Sequence, residues 1–370
     1  LDIGGSAGGD WQRGGFPDVF SDAFRQLAYR VAEGRCASLR GDPFLLGYFT
    51  DNELRWGPDW RSAQGLLATF WEFPADMPGK KEAVRFIQEH YGTIAKFNAV
   101  WGTNFASFDD LQKLPNLKAI GETVRQAQWE LLRHVVMGNF PKSTVLWYLK
   151  NYYDSVDKLN AYWGTKFASF EEVLEESPHS PQIEELESLE AGFLRRVAAQ
   201  YFKVCAEAIR EHDPNHLILG CRYAGYAPDE VVQSMGDSVD VVSYNNYDFL
   251  PPVKKLQQIC EWTGKPLMIT EFSFKAMDSG LPNTRGAGQP VQTQKDRADN
   301  FEAYVSALMK LPYMVGFHWF EYADEPAEGR FDGENSNYGL VNIQDEPWEL
   351  LTTRMHEVNS CLEDIHKAAK

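Results

Sequence analysis

The chain has 370 residues, of which 44% are hydrophobic and 24% are charged, so it contains enough apolar material for a large core. Its 36 Lys and Arg against 53 Asp and Glu give a net charge of −17, which disfavours nucleic acid, anionic membranes and sulfated polymers as partners. The sequence lacks any apolar run of about eighteen residues or more, so it predicts no membrane-spanning helix and no membrane partner.

The first segment, residues 1–57, is predicted to hold one amphipathic helix and one strand. The helix begins near Ser21, which is a favourable N-cap, and ends near Gly34. The Asp42-Pro43 turn leads into a short, aromatic-rich apolar run at 44–49. Such a run without alternation is typical of a strand that is buried on both faces.

The second segment, residues 58–180, is predicted to be helical and contains an internal repeat. Residues 91–108 match residues 153–170, 62 positions further on, and share the pattern Tyr-x6-Asn-x2-Trp-Gly-Thr. Two copies are too few for a solenoid. Each copy is predicted to be a helix that ends at the Trp-Gly pair, then a turn and a second short helix. We interpret the repeated Trp and Phe as packing residues, and a platform for sugar stacking is the alternative.

The third segment, residues 181–370, alternates strands with helices. Strands are predicted at 217–220, 239–243, 266–270 and 313–317, and helices at 185–211, 228–235, 253–263, around 301–308 and at 348–368. Strand-then-helix units in series predict an α/β fold with a parallel sheet and right-handed crossovers. With the strand at 44–49 there are five such units. Periodicity alone is compatible with part of a closed eight-stranded barrel or with a doubly wound sheet.

Polar and aromatic side chains follow each predicted strand, and in parallel α/β folds the working residues collect at these strand ends. The candidate catalytic residues are Glu53 and Glu271. The candidate substrate contacts, in chain order, are Asn52, Trp56, Arg222, Asn245, Tyr247, His318, Trp319 and Glu321. Two strands that finish on Glu indicate a paired-carboxylate glycosidase, in which one carboxyl donates a proton and the other attacks the anomeric carbon. The alternative is that both acids form salt bridges or cap helices.

Four stretches of the chain carry a family resemblance. Residues 47–53 (Gly-Tyr-Phe-Thr-Asp-Asn-Glu), 269–272 (Ile-Thr-Glu-Phe), 318–322 (His-Trp-Phe-Glu-Tyr) and 332–339 resemble glycoside hydrolase family 50, the β-agarases of clan A. The repeat pattern resembles a segment of the family 42 β-galactosidases. The resemblance covers most of residues 17–360. It implies a (β/α)8 TIM barrel whose acid/base follows strand four and whose nucleophile ends strand seven.

Residue by residue, the resemblance implies that Glu53 is the acid/base and Glu271 the nucleophile. Asn52 would bind the 2-hydroxyl of the sugar, and Tyr247 would match the tyrosine of strand six. Trp319 would form the floor of the subsite for the non-reducing sugar. The loop that carries Asp332, Glu334 and Asn335 is compatible with a substrate contact and equally with a plain turn.

The resemblance also implies that this chain holds barrel strands four to eight, with a helical insertion after strand four. The first barrel strands would then belong to a missing N-terminal portion or to a second polypeptide, and the start at Leu1, without an initiator Met, is interpreted as an interior cut. The implied activity is retaining hydrolysis of β-linked, galactose-containing neutral oligo- or polysaccharides without a cofactor. Resemblance to secreted agarases favours export, and self-association is left open.

The sequence is compared with the patterns of three other functions: a serine hydrolase, a metal-dependent enzyme and a non-catalytic binding protein. The sequence Gly4-Gly5-Ser6-Ala7-Gly8 fits the serine-hydrolase pattern G-x-S-x-G, but the glycines that follow Ser6 prevent the helix that a nucleophile elbow requires. The histidines show no metal-binding spacing, and the scattered cysteines predict neither a zinc site nor a disulfide framework. A non-catalytic carbohydrate-binding or scaffold protein is the remaining alternative, although both glutamates are present.

Overall fold

The computed structural model describes residues 1–369 except 11, 60, 63, 140, 141, 176–179 and 226. Its α-helices are α1 Ile3–Ser6, α2 Asp22–Cys36, α3 Leu66–Trp71, α4 Pro78–Tyr91, α5 Ile94–Trp101, α6 Phe108–Gln112, α7 Glu122–Asn139, α8 Lys142–Tyr153, α9 Val156–Trp163, α10 Pro181–His212, α11 Asp229–Ser234, α12 Val253–Thr263, α13 Gln294–Met309, α14 Glu349–Asn359 and α15 Leu362–Ala368. Its strands are β1 Gly47–Tyr48, β2 Leu217–Ile218, β3 Tyr223–Ala224, β4 Val242–Asn245, β5 Leu267–Glu271, β6 Phe274–Ala276, β7 Gln289–Val291 and β8 Met314–Phe317. Within the described ranges, no helix is long and apolar enough to cross a membrane.

The chain divides into two compact units at boundaries that differ from the three predicted segments. The first unit contains Leu1–Gly5, Val31–Leu54 and Cys205–Lys370, and the second contains Ser6–Arg30 and Arg55–Val204. The second unit therefore takes in residues 6–30 and the first three quarters of α10. Aromatic packing between these segments explains the difference, because Phe24 lies 6.1 Å from Tyr201 between ring centroids.

The first unit is built on parallel strands, as the sequence predicts. β1 pairs with β2, and β3, β4, β5 and β8 pair in that order, all in parallel. A backbone hydrogen bond also links the β1–β2 sheet to the four-stranded sheet. The amide of Asp240, just before β4, donates to the carbonyl of Ile218 in β2 at 2.8 Å. The strands that carry the candidate residues thus lie side by side in chain order.

The helices that cover these strands were largely predicted. Ser21 caps α2 by accepting the amide of Phe24 at 3.0 Å, and the helix runs to Cys36, just past the predicted end. On α13 the predicted apolar face, Phe301, Tyr304, Val305 and Leu308, is buried. Fully burying an apolar side chain stabilises the fold by about 1.5–3 kcal/mol, so this face anchors α13 to the unit.

Some predicted elements are wrong. The strand expected at 44–49 is reduced to Gly47–Tyr48, because Asp42 holds the preceding residues in a turn by accepting the amide of Phe44 at 2.9 Å. Phe44 is 96% exposed rather than buried. The single helix expected at 348–368 is two helices, α14 and α15. The short parallel pair β6 and β7 has no counterpart among the predicted strands.

The sequence repeat of the second unit is also a structural repeat. In the first copy, the side chain of Asn98 donates to the carbonyl of Phe105 at 2.9 Å and accepts the hydroxyl of Thr103 at 2.8 Å. Asn160 makes the same two bonds in the second copy, at 2.8 and 2.7 Å. Each copy therefore closes the same turn after its helix.

The tryptophans of the repeat are packing residues, as interpreted from the sequence. Each indole N–H donates to a tyrosine hydroxyl that lies ten residues earlier, at 2.8 Å from Trp101 to Tyr91 and at 2.7 Å from Trp163 to Tyr153. Only 2% of Trp101 and 8% of Trp163 is exposed. Neither ring offers an open face to a sugar.

Candidate active site

Glu53 is held by an asparagine from a neighbouring strand. The amide Nδ2 of Asn245, at the end of β4, donates to Oε1 of Glu53 at 2.8 Å and to Oδ1 of Asn52 at 3.3 Å. The backbone of Glu53 has a φ of 51° and donates its N–H to the carbonyl of Arg222 at 3.1 Å. This turn directs Glu53 toward the strand ends, where the sequence places it.

Glu271, the last residue of β5, is held at both of its carboxylate oxygens. The hydroxyl of Tyr247 donates to Oε2 at 2.7 Å, and the guanidinium of Arg222 forms an ion pair with Oε1. Burial raises the pKa of Glu271 to about 7, against the opposing effect of Arg222, and the nearby charge of Glu53 raises the pKa further. The carboxylate is therefore fixed in position and titrates close to neutrality.

Asn245 connects the two glutamates. Its backbone stands opposite Glu271 in the ladder between β4 and β5, at an irregularity in the register, and its side chain holds Glu53. The structure thus brings together the two acids that the sequence singled out, although 218 residues separate them along the chain. Two carboxyl groups beside one amide can divide the work of acid and nucleophile.

Arg222 forms an ion pair within the protein. The guanidinium pairs with Glu271 and lies 3.3 Å from the carbonyl oxygen of Thr270, while the sugar contact that the sequence predicts for Arg222 stays a prediction. The guanidinium carbon lies 5.5 Å from the ring centroid of Phe49. The exposed His318 packs the edge of its ring on the same Phe49 at 6.3 Å. Arg222 therefore stabilises the ionised form of Glu271.

Trp319 is fixed in orientation at the end of β8. Its indole N–H donates to the carbonyl of Tyr338 at 2.8 Å, and its ring packs edge-on against Phe272 at 5.4 Å. The guanidinium carbon of the buried Arg297 lies 5.4 Å from the ring centroid. Burial lowers the pKa of Arg297 to about 9, and the guanidinium is held by the carbonyls of Phe274 and Gly339 at 2.8 and 2.9 Å.

The acidic side chains of the 330–335 loop, together with Glu321, form ion pairs with Arg330. Arg330 forms ion pairs with Glu321 at 3.6 Å, with Asp332 at 2.9 Å and with Glu334 at 3.0 Å. The amide of Arg330 donates to the carbonyl of Glu334 at 2.9 Å and closes the turn. Asn335 accepts the amides of the 284–285 segment at 3.1 and 3.2 Å. These contacts favour the plain turn over the substrate contact.

Trp56 requires a correction. The sequence predicts that it contacts substrate, but it belongs to the second unit and is only 4% exposed. Its ring stacks on Phe202 at 5.5 Å and packs edge-on against Phe16 at 5.1 Å. Since the ring is buried among these aromatic side chains, closeness to Glu53 in sequence does not make Trp56 a substrate contact. Trp56 is a core residue.

Two residues of the site escaped sequence reasoning. Thr270 donates its hydroxyl to Oδ1 of Asn245 at 2.8 Å, and Gln289 donates its side-chain amide to the carbonyl of Tyr247 at 2.5 Å. Thr270 immediately precedes Glu271 in β5, so its position near the end of the strand could have identified it as a residue close to the site. Gln289 lies on β7, which the sequence did not predict. Within the described residues, no group of three or more His, Cys, Asp or Glu is arranged to hold a metal, and the five cysteines are free thiols.

Comparison with protein families and curated proteins shows what the chain as a whole is similar to. The family 42 β-galactosidase model matches residues 144–292. β-Agarase A of Vibrio sp. (strain JT0107) is 32% identical over 94% of this chain and 30% of its own length. β-Agarase B of the same strain is 29% identical over 86% of this chain and 27% of its own length. The chain thus spans less than a third of these curated relatives.

Solved structures show the same similarity. The structure of an exo-β-agarase matches 95% of this chain and 40% of its own, with a TM-score of 0.71 and 26% identity. A second agarase structure matches 95% of this chain and 42% of its own, with a TM-score of 0.71 and 28% identity. The similarity therefore extends across both units rather than over an isolated motif.

Proposed function

Because this chain is a relative of the clan A glycoside hydrolases, similar to their family 50 over most of its length, we propose that it carries the catalytic site of a retaining glycosidase. The observation that carries the proposal is the meeting of Glu53 and Glu271 at Asn245. The substrate would be a β-linked, galactose-containing neutral glycan. The match to the β-galactosidase family model supports galactose, the β-agarase relatives support a polysaccharide, and the net charge of −17 favours a neutral over a sulfated polymer.

In the proposed reaction, Glu271 attacks the anomeric carbon while Glu53 gives its proton to the glycosidic oxygen. The bond between that carbon and the leaving group breaks, and a glycosyl ester forms on Glu271. Glu53 then removes a proton from water, which attacks the same carbon and releases Glu271. Tyr247 and Arg222 would keep the attacking carboxylate in place. Asn52 and Trp319 would contact the sugar.

We further propose that β1, β2 with β3, β4, β5 and β8 are strands four to eight of a (β/α)8 barrel. Their parallel pairing in chain order supports this, because a doubly wound sheet reverses its strand order. Apolar side chains are exposed at the two outer strands of this series. Leu46, directly before β1, is 58% exposed, and Val315 in β8 is 53% exposed. Further βα units, supplied by a preceding portion or a second polypeptide, would cover these edges. Residues 58–180 would be a helical insertion after strand four.

The stereochemistry of the first product tests the mechanism. The full-length protein is incubated with agarose oligosaccharides and aryl β-galactosides, and the anomeric proton of the product is followed by NMR from the first minutes. A β-anomer before mutarotation supports double displacement, and an α-anomer refutes it. A protein that binds these glycans without any turnover would refute the enzyme and favour the non-catalytic binding protein.

A further inference from the structure

We propose that Thr270 is a positioning residue for the general acid, acting through the side chain of Asn245 to determine which oxygen of Glu53 carries the transferred proton. The inference rests on the proposed glycosidase function and adds a residue to it. Thr270 lies in β5, directly before Glu271, and is only 1% exposed. Its hydroxyl therefore has to find its partners inside the protein.

The hydroxyl of Thr270 fixes the orientation of the Asn245 amide. Oγ1 donates to Oδ1 of Asn245 at 2.8 Å and lies 3.1 Å from the carbonyl oxygen of Tyr244. Asn245 is fully buried, and the other end of its amide, Nδ2, lies between acceptors on Glu53 and Asn52. A flipped amide would turn its oxygen toward those acceptors and would leave Thr270 facing an NH₂ group. The observed orientation satisfies all of these groups together.

This orientation matters for the chemistry of Glu53. Oε1 accepts an N–H from Asn245, so a neutral Glu53 carries its proton on Oε2. Without the hydroxyl of Thr270, the amide loses the donor that holds Oδ1 on the side away from Glu53, and a flipped amide would present Oδ1 to a neutral Glu53. The acid would then give its hydrogen bond to Oδ1 through the wrong oxygen, and the glycosidic oxygen would lose its donor. Thr270 therefore affects proton transfer without touching the substrate.

The test compares substrates that need a proton with substrates that do not. Thr270→Val, close in shape but without the hydroxyl, is made in the full-length enzyme. It is assayed on phenyl and 2,4-dinitrophenyl β-glycosides of the sugar unit that the enzyme releases. We expect kcat/KM to fall about 10–100-fold for the phenyl glycoside, whose leaving group needs protonation, and less than about threefold for the dinitrophenyl glycoside. Thr270→Ser retains the hydroxyl and should restore the phenyl rate.

A double-mutant cycle with Asn245→Ala tests the route of the effect. Asn245→Ala should show the same leaving-group dependence, and adding Thr270→Val should cause little further loss, because Thr270 acts through that amide. Equal losses on both substrates, or none, would overturn the inference. If Thr270→Val does not fold, the test rests on Asn245→Ala alone. The inference is overturned if Asn245→Ala shows the same ratio of phenyl to dinitrophenyl rates as the wild-type enzyme. A wild-type enzyme without any glycosidase activity overturns the proposed function first, and the inference falls with it.

Discussion

Tyr247 donates its hydroxyl hydrogen to Oε2 of Glu271 at 2.7 Å, while the guanidinium of Arg222 pairs with the other oxygen. Donors on both oxygens favour the ionised carboxylate, whereas burial favours the neutral one. The balance leaves the pKa of Glu271 at about 7, above the usual range of a glutamate. The same contacts fix the carboxylate in a single orientation, as attack on one carbon requires.

The first prediction concerns the pH dependence of the enzyme. Glu271 can attack only when ionised, so kcat/KM should rise as the pH increases through about 7 and fall below it. Tyr247→Phe removes a donor to the charged form, which raises the pKa of Glu271 and moves the acidic limb to higher pH. The rate above that limb should fall about 10–100-fold. Tyr313→Phe, away from these contacts, is the control, and an unmoved limb in Tyr247→Phe would contradict the role of this hydroxyl.

The second prediction identifies the nucleophile. Glu271→Ala should abolish turnover, because no other group would form the glycosyl ester. Added azide should then restore activity on a dinitrophenyl glycoside and leave an α-glycosyl azide, which NMR distinguishes from its anomer. Glu328→Ala changes an exposed carboxylate and should behave as wild type. Turnover by Glu271→Ala at the parental rate would refute the assignment.

The third prediction separates the two roles considered for Arg222. If the guanidinium serves Glu271, Arg222→Gln should move the acidic limb of kcat/KM to higher pH and leave KM nearly unchanged. If it binds sugar, as expected from the sequence, KM should rise and the limb should stay in place. A pH profile at saturating and at low substrate concentrations decides between them. We expect the first result, because the ion pair with Glu271 is present.

The sequence predicted which residues lie together where strand order determines this, and it was wrong where the path of the chain determines it. Glu53 and Glu271 were correctly predicted to lie together, because parallel strands bring their carboxyl ends to one edge, so a Glu that ends a strand is informative wherever it lies in the chain. Trp56 was misassigned because it lies three positions after Glu53 in the sequence, yet its ring is buried against Phe16 and Phe202. Phe44 was misplaced because its apolar side chain suggests burial, which the Asp42 turn prevents.

The partners of Glu271 illustrate a second limit. Arg222 and Tyr247 were selected as sugar contacts from their places at strand ends, which was enough to bring them to the site. Their bonds to Glu271 depend on distances across three strands, which periodicity does not contain. Thr270 was overlooked because its hydroxyl serves Asn245 rather than the substrate. Composition and spacing therefore predict which residues gather, and the structure is needed to tell which of them act on one another.

The fourth prediction concerns the repeat. Asn98→Ala and Asn160→Ala should each lower the free energy of unfolding by about 1–3 kcal/mol, because the turn after each helix loses a donor and an acceptor that are partly buried. The exposed Asn151, whose amide bonds only a carbonyl of its own helix at 2.7 Å, is a matched control that should change stability by less than about 0.5 kcal/mol. Urea unfolding measures all three. Equal effects at Asn151 and Asn160 would contradict the structural role of the repeat.

The last prediction follows from the corrected position of Trp56. Trp56→Ala leaves a cavity beside Phe16 and Phe202, and it should lower the free energy of unfolding by about 3–5 kcal/mol. Since Trp56 is a core residue, KM of the folded fraction should stay at the parental value. Trp319→Ala is the informative comparison, because Trp319 lies at the end of a strand in the first unit and should raise KM if it forms the floor of a sugar subsite. Urea unfolding and steady-state kinetics on both variants separate the two effects. A raised KM in Trp56→Ala, with stability unchanged, would return Trp56 to the substrate site that the sequence predicted.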